Sequence, residues 1–90
     1  MTRPFYSIIT VVYNAEAGLE KTARSLQGQH FRDFEWIVVD GASTDRTLDI
    51  AHRYLDPQRD IIVSEADQGV YDAMNKGLRL ARGEVVQFLN

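Results

Sequence analysis

Ninety residues suffice for one small domain with a single core and are too few for independent units. Hydrophobic residues at 44% and charged residues at 26% exclude a disordered tail or a fibre. A formal charge of -3 with scattered Lys and Arg offers no basic stripe, so nucleic acid is not the expected partner, and the lack of cysteine excludes disulfides and thiolate metal sites.

The opening residues, Met1 to Tyr6, lack the apolar stretch and small-residue cleavage site of a signal peptide, and no run approaches the roughly 18 apolar residues of a membrane span. The chain therefore reads as cytoplasmic, with peripheral attachment to the inner face of a membrane left open. Ser7 to Tyr13 is nearly continuous in β-branched residues, as a strand covered on both faces should be. Asn14 reads as a helix N-cap before it reads as a ligand contact. Ala15, Leu19, Ala23 and Leu26 then form one helical face, with Gly28 at the fraying end.

Phe34 to Asp40 is the second strand, and the turn Gly41-Ala42-Ser43-Thr44-Asp45 carries side-chain oxygens suited to capping the next helix. That helix presents Leu48, Ile50, Ala51, Tyr54 and Leu55, and Pro57 stops it. The third strand is Asp60 to Glu65. After Asp67-Gln68-Gly69, a third helix presents Val70, Met74, Leu78 and Ala81 on one side, with Gly83 in the C′ position; Glu84 to Leu89 is the fourth strand.

Strands alternating with helices imply an α/β fold with a parallel sheet, β-α-β-α-β-α-β. Right-handed crossovers give a doubly wound, Rossmann-like order of 3-2-1-4, with the first two helices on one face and the third on the other. In such a sheet ligands bind at the carboxyl ends of the strands, where the segments after the first three strands form one rim. Each combines a polar group with a glycine or a helix start, as a nucleotide requires.

Within that rim, Asp40 ends an apolar strand and suits a ligand role or a turn role equally. Ser43, Thr44 and Asp45 suit capping. Glu65 and Asp67 resemble half of a metal site, but carboxylates before a helix N-terminus are favoured by the dipole alone. Asn75 and Lys76 suit a solvent-facing side, though Asn75 adjoins Met74, and a half-buried amide there would need partners. Tyr13 suits either core packing or stacking on a base. His30 and His52 have no companions for a metal or a catalytic triad and read as surface residues. The first turn, Tyr13-Asn14-Ala15-Glu16, is not a G-x-G-x-x-G turn, which disfavours a dinucleotide-binding domain.

Three motifs in order and spacing resemble those of family 2 glycosyltransferases. They are Ser7-Ile-Ile-Thr-Val-Val-Tyr-Asn14, Val39-Asp-Gly-Ala-Ser-Thr-Asp-Arg-Thr47, and Ser64-Glu-Ala-Asp-Gln-Gly-Val-Tyr-Asp-Ala-Met-Asn-Lys-Gly77 followed by Ala81-Arg-Gly-Glu84. The third is similar to a variant among transferases that build bacterial surface polysaccharides. The resemblance implies that residues 1–90 are the nucleotide-sugar-binding, amino-terminal half of a GT-A fold, ending before the acidic D-x-D motif. It implies a nucleotide-sugar donor, often a UDP-sugar, and a saccharide or lipid-linked acceptor. A divalent metal, Mn²⁺ or Mg²⁺, would be held by residues outside this chain.

By resemblance, the nucleotide-binding positions are Val11, Tyr13, Asn14, Asp40, Gly41, Ser43 and Asp67, with neither a catalytic residue nor a metal ligand among the ninety. The family's second aspartate, often the one that hydrogen-bonds the base, falls at Gly41, which implies that Asp40 substitutes for it or that base recognition is weaker or arranged differently; Ala42 and Arg46 replace usual glycines, which is expected only to stiffen the turn. On this basis the parent enzyme transfers sugar and the fragment does not; the alternative is a non-catalytic nucleotide-binding or structural module. A sheet ending at its fourth strand leaves an apolar edge that invites self-association.

Overall fold

A computed structural model of the chain describes residues 3–29 and 33–89. His30 and Asn90 lie outside them. Four parallel strands, β1 (Tyr6–Val12), β2 (Phe34–Asp40), β3 (Ile61–Ser64) and β4 (Val85–Phe88), form one sheet in the order β3-β2-β1-β4. Helices α1 (Glu16–Gln27) and α2 (Thr47–Tyr54) cover one face and α3 (Val70–Leu80) the other, as the expected crossovers require.

The central strands carry the core because their β-branched residues face a helix on each side. All seven residues of β2 are buried. Ile8, Val12, Trp36 and Val38 pack under Leu19, Ala23, Leu26, Ile50 and Ala51, while Ile9, Ile37 and Val39 pack under Ala73. Full burial of a residue such as Ile9 or Ile37 contributes about 2 kcal/mol. The buried Trp36 indole donates to Thr10 Oγ1 at 2.9 Å, so its polar edge is satisfied within the sheet.

The third helix departs from expectation. Its buried residues are Ala73 and Gly77, whereas Val70 and Leu78 of the expected apolar face are 56% and 45% exposed. Small residues let the helix lie close to β1: a Cβ on Gly77 would stand 2.6 Å from Ile9 Cγ2. The larger Leu78 is thereby turned outward, while Val70, on the same face as Ala73 and Gly77, is exposed as the first residue of the helix. By register with Ser7 and Ile9, the exposed Val86 and Phe88 of β4 face the same side of the sheet.

Gly83 is not at C′ either. The helix ends at an extended Ala81, and Gly83 is required instead by close approach, since a Cβ there would stand 2.7 Å from both Ser7 N and Tyr6 C. This contact lies at the amino end of the sheet, beside a buried carboxylate. Glu35 accepts from the Ser7 hydroxyl at 2.6 Å, from Arg82 N at 2.7 Å and from Arg82 Nε at 2.8 Å. Ser7 Oγ in turn accepts from Gly83 N at 2.8 Å. Burial alone pushes the Glu35 carboxyl up, but the Ser7 hydroxyl and the Arg82 amide and guanidinium outweigh it and hold the group below its ordinary value.

Candidate nucleotide site at the carboxyl edge

At the opposite end of the sheet, the loops after β1, β2 and β3 meet. The first two are stitched together by reciprocal hydrogen bonds. Asn14 N donates to Ser43 Oγ at 2.8 Å, and Asn14 Oδ1 accepts from Thr44 N at 2.8 Å. Asn14 adopts φ 47, in the left-handed region that Asn tolerates better than most residues. The expected N-cap is thus overturned: Ala15 occupies that position without a side-chain cap, and Asn14 braces the neighbouring loop instead. The physical reason is the left-handed turn, which directs the amide across to Thr44 rather than along α1.

Helix starts are secured from the second loop. Asp45 Oδ1 accepts from Thr47 N at 2.9 Å and from Thr47 Oγ1, and Thr47 Oγ1 accepts from Ala15 N at 2.9 Å. The Thr47 hydroxyl, together with backbone N–H groups of Thr47 and Glu16, holds the Asp45 carboxyl below its usual value. Asp45 thereby holds the first N–H of α2 and, through Thr47, the start of α1, but the N-cap of α2 is Arg46 without a side-chain cap, and Ser43 and Thr44, also expected to cap, bond to Asp40 and Asn14 instead. Ala42 adopts φ 64, so the residue replacing a glycine sits where glycine is favoured and strains the turn as well as stiffening it.

Asp40 is buried, and three donors converge on its carboxylate: Ser43 Oγ at 2.5 Å, Ser43 N at 3.1 Å and Ser64 Oγ at 2.7 Å. Its carboxylate locks the second loop onto the third. Asn14, Asp40 and Ser43 therefore form the frame beneath the rim, while Val11, Tyr13, Gly41 and Asp67 line an open cleft of about 500 Å³ together with Val12, Ala66, Gly69, Val70 and Ala73. Tyr13 is 61% exposed there, which removes the core alternative for it.

Lys76, expected in solvent, is the residue that sequence reasoning missed. Its side chain is only 12% exposed, and Nζ reaches Asp67 Oδ1 at 2.7 Å, Ala66 O at 3.1 Å and Glu65 Oε1 at 3.1 Å. The hydrogen bond to Asp67 raises the ammonium above its usual value; burial opposes this and Glu65 adds to it. Asn75, by contrast, is exposed, because the rotation of α3 that buries Ala73 and Gly77 carries Asn75 outward. The Glu65 and Asp67 pair is thus gathered around an ammonium. Among the described residues no group of three or more His, Asp or Glu could hold a metal ion. His52 is exposed, and no described helix is long and apolar enough to cross a membrane.

A second cleft, of about 450 Å³, lies between α1 and the flank of β1. Among the described residues Lys21 is the charged one in its lining, and its walls come mainly from β1 and α1 rather than from convergent loops. The cleft at the carboxyl edge combines apolar walls, an aromatic ring and a carboxylate, the composition of a site for a small polar ligand with a flat heterocycle.

This fold and this cleft define an α/β protein of the GT-A glycosyltransferase architecture. Residues 7–90 match the glycosyl transferase family 2 profile, and the chain belongs to that family. A PGL/p-HBAD biosynthesis glycosyltransferase of Mycobacterium tuberculosis (strain ATCC 25177 / H37Ra) is 46% identical over 91 residues, covering 99% of this chain and 36% of that protein. A putative teichuronic acid biosynthesis glycosyltransferase of Bacillus subtilis (strain 168) is 38% identical, covering 98% of this chain and 36% of that protein. A mannosyltransferase from Pyrobaculum calidifontis, solved in complex with GDP-Man and Mn²⁺, superimposes with a TM-score of 0.81 at 32% identity, covering 96% of this chain and 27% of that one. The chain thus spans little more than a third of the length of these two sequence relatives.

Proposed function

We propose that the chain is the donor-binding portion of a glycosyltransferase that moves a sugar from a nucleotide sugar, a UDP-sugar on our reading, to an acceptor hydroxyl on a saccharide or lipid-linked acceptor in polysaccharide assembly. The observation that carries this reading is the cleft where three loops meet, with Tyr13 and the Asp67 carboxylate on its wall, in a chain of this family. Val11 and Tyr13 offer apolar and aromatic surface to a base, and Gly41 keeps the floor open. Asn14, Asp40 and Ser43 hold the frame that sets these groups. On the same reading the enzyme works in the cytoplasm, at the inner face of a membrane.

The described residues do not fit a divalent ion, because none of their His, Asp and Glu groups gather in threes and the pair at Glu65 and Asp67 surrounds the Lys76 ammonium. On our reading Mn²⁺ or Mg²⁺ is held by residues outside this chain. Neutralising a diphosphate leaving group and deprotonating an acceptor are, on the same reading, the work of residues outside this chain. On our reading the ninety residues bind nucleotide without turnover. We read the exposed Leu78, Val86 and Phe88 as favouring self-association of the isolated chain.

Calorimetric titration of the chain with UDP, GDP and NADH tests the proposal. Saturable binding of a nucleoside diphosphate without NADH binding is expected. No nucleotide binding would leave a structural module, and binding of NADH would return the dinucleotide reading.

A further inference from the structure

The two carboxylates at the rim are in different states. Asp40 is filled by Ser43 and Ser64. Asp67 gives Oδ1 to Lys76, and among the described residues no donor reaches its Oδ2. That oxygen stands 2.9 Å from the point where a Cβ on Gly41 would lie, with Tyr13 Cδ1 3.6 Å from the same point. A side chain at position 41 and the carboxylate of Asp67 therefore compete for one volume. Asp67 cannot yield it cheaply, because it is short and Lys76, itself held by Glu65 and Ala66 O, fixes its other oxygen.

Resting on the nucleotide reading above, we propose that positions 41 and 67 share a single carboxylate site, filled here by Asp67, and that Lys76 positions it so that one oxygen accepts the ring N–H of the base. Lys76 is a positioning residue in this arrangement and touches no ligand itself. Its effect extends to base choice. A carboxylate with both oxygens available takes two adjacent donors in a bidentate pair, as guanine presents with its ring N–H and exocyclic amine. With Oδ1 engaged by the ammonium, one acceptor remains, which matches the single ring N–H of uracil. Released from Lys76, the same carboxylate would rotate and accept two.

The test compares UDP and GDP binding to the chain and its variants by calorimetry, with thermal melts of the ligand-free proteins alongside. The wild type is expected to favour UDP. Lys76→Met is expected to weaken UDP by about tenfold, the size of one charge-assisted hydrogen bond, and to narrow the ratio of UDP to GDP affinity. Gly41→Asp alone sets two carboxylates against each other and Asp67→Gly alone removes the acceptor, so each loses about tenfold or more, whereas the double variant, which moves the carboxylate across, recovers binding. In the melts, Gly41→Ala is expected to destabilise the wild type more than the Asp67→Gly background. Binding by the wild type with both affinity and base ratio untouched in Lys76→Met would overturn this inference alone, as would equal melting losses for Gly41→Ala in the two backgrounds. Failure of the wild type to bind either nucleotide would overturn the functional reading and this inference with it.

Discussion

The two ends of the sheet each hold a buried carboxylate network, and they are finished differently. At the amino end both Glu35 oxygens have donors, Arg82 supplies the compensating charge, and Gly83 lies against the backbone of Tyr6 and Ser7 with no room to spare. At the carboxyl end Asp40 is equally well satisfied, but above it Asp67 has one oxygen that no donor among the described residues reaches, beside an open cleft. A closed network stabilises the fold, and a network left one partner short beside open space is where a ligand can complete it.

The contrast predicts that substitutions at the amino end cost stability. Gly83→Ala should be the most damaging, because its Cβ meets backbone that cannot give way; a loss of about 3 kcal/mol is expected in denaturant titrations. Glu35→Gln should cost about 2 to 3 kcal/mol at neutral pH, since Arg82 and Ser7 keep their positions while the buried charge that they serve is gone. The folded carboxyl lies below the ordinary glutamate value of 4.5, so its stabilisation is complete above that pH and drains away as the pH falls through the lowered folded value. Glu35→Gln should therefore flatten the acid limb of the stability curve below pH 4.5; an unchanged limb would show that Glu35 does not carry it.

Substitutions at the carboxyl end should separate stability from binding. Ala42→Gly relieves a left-handed alanine and should stabilise the protein by about 1 kcal/mol, measured as a raised denaturation midpoint; no gain would mean that the turn is unstrained. Tyr13→Ala, at a largely exposed position, should alter stability by no more than about 0.5 kcal/mol while weakening nucleotide binding. Retained affinity would remove the tyrosine from the site.

The sheet order was legible because β-branched runs alternate with helical periodicity and crossovers have one hand. Topology alone then gathered the three loops. What stayed hidden depends on partners distant in sequence. Glu35 stands in the apolar run Phe34-Glu35-Trp36-Ile37, and a charge in a strand covered on both faces demands a cation, but nothing local points to Arg82, 47 residues away. Lys76 looked solvent-facing because the large residues Val70, Met74 and Leu78 suggested the buried side of α3, whereas the helix sits on its small residues. Asn14 has the composition of a cap and the dihedral of a brace, a distinction that only φ reveals.

Amide shift mapping by NMR during titration with UDP addresses the account most directly. Saturable changes confined to Val11–Asn14, Gly41–Ser43 and Ala66–Gly69, with Ser7, Glu35, Arg82 and Gly83 unmoved, are the predicted result. Changes centred on the Glu35 and Arg82 network, or none that saturate, would contradict it.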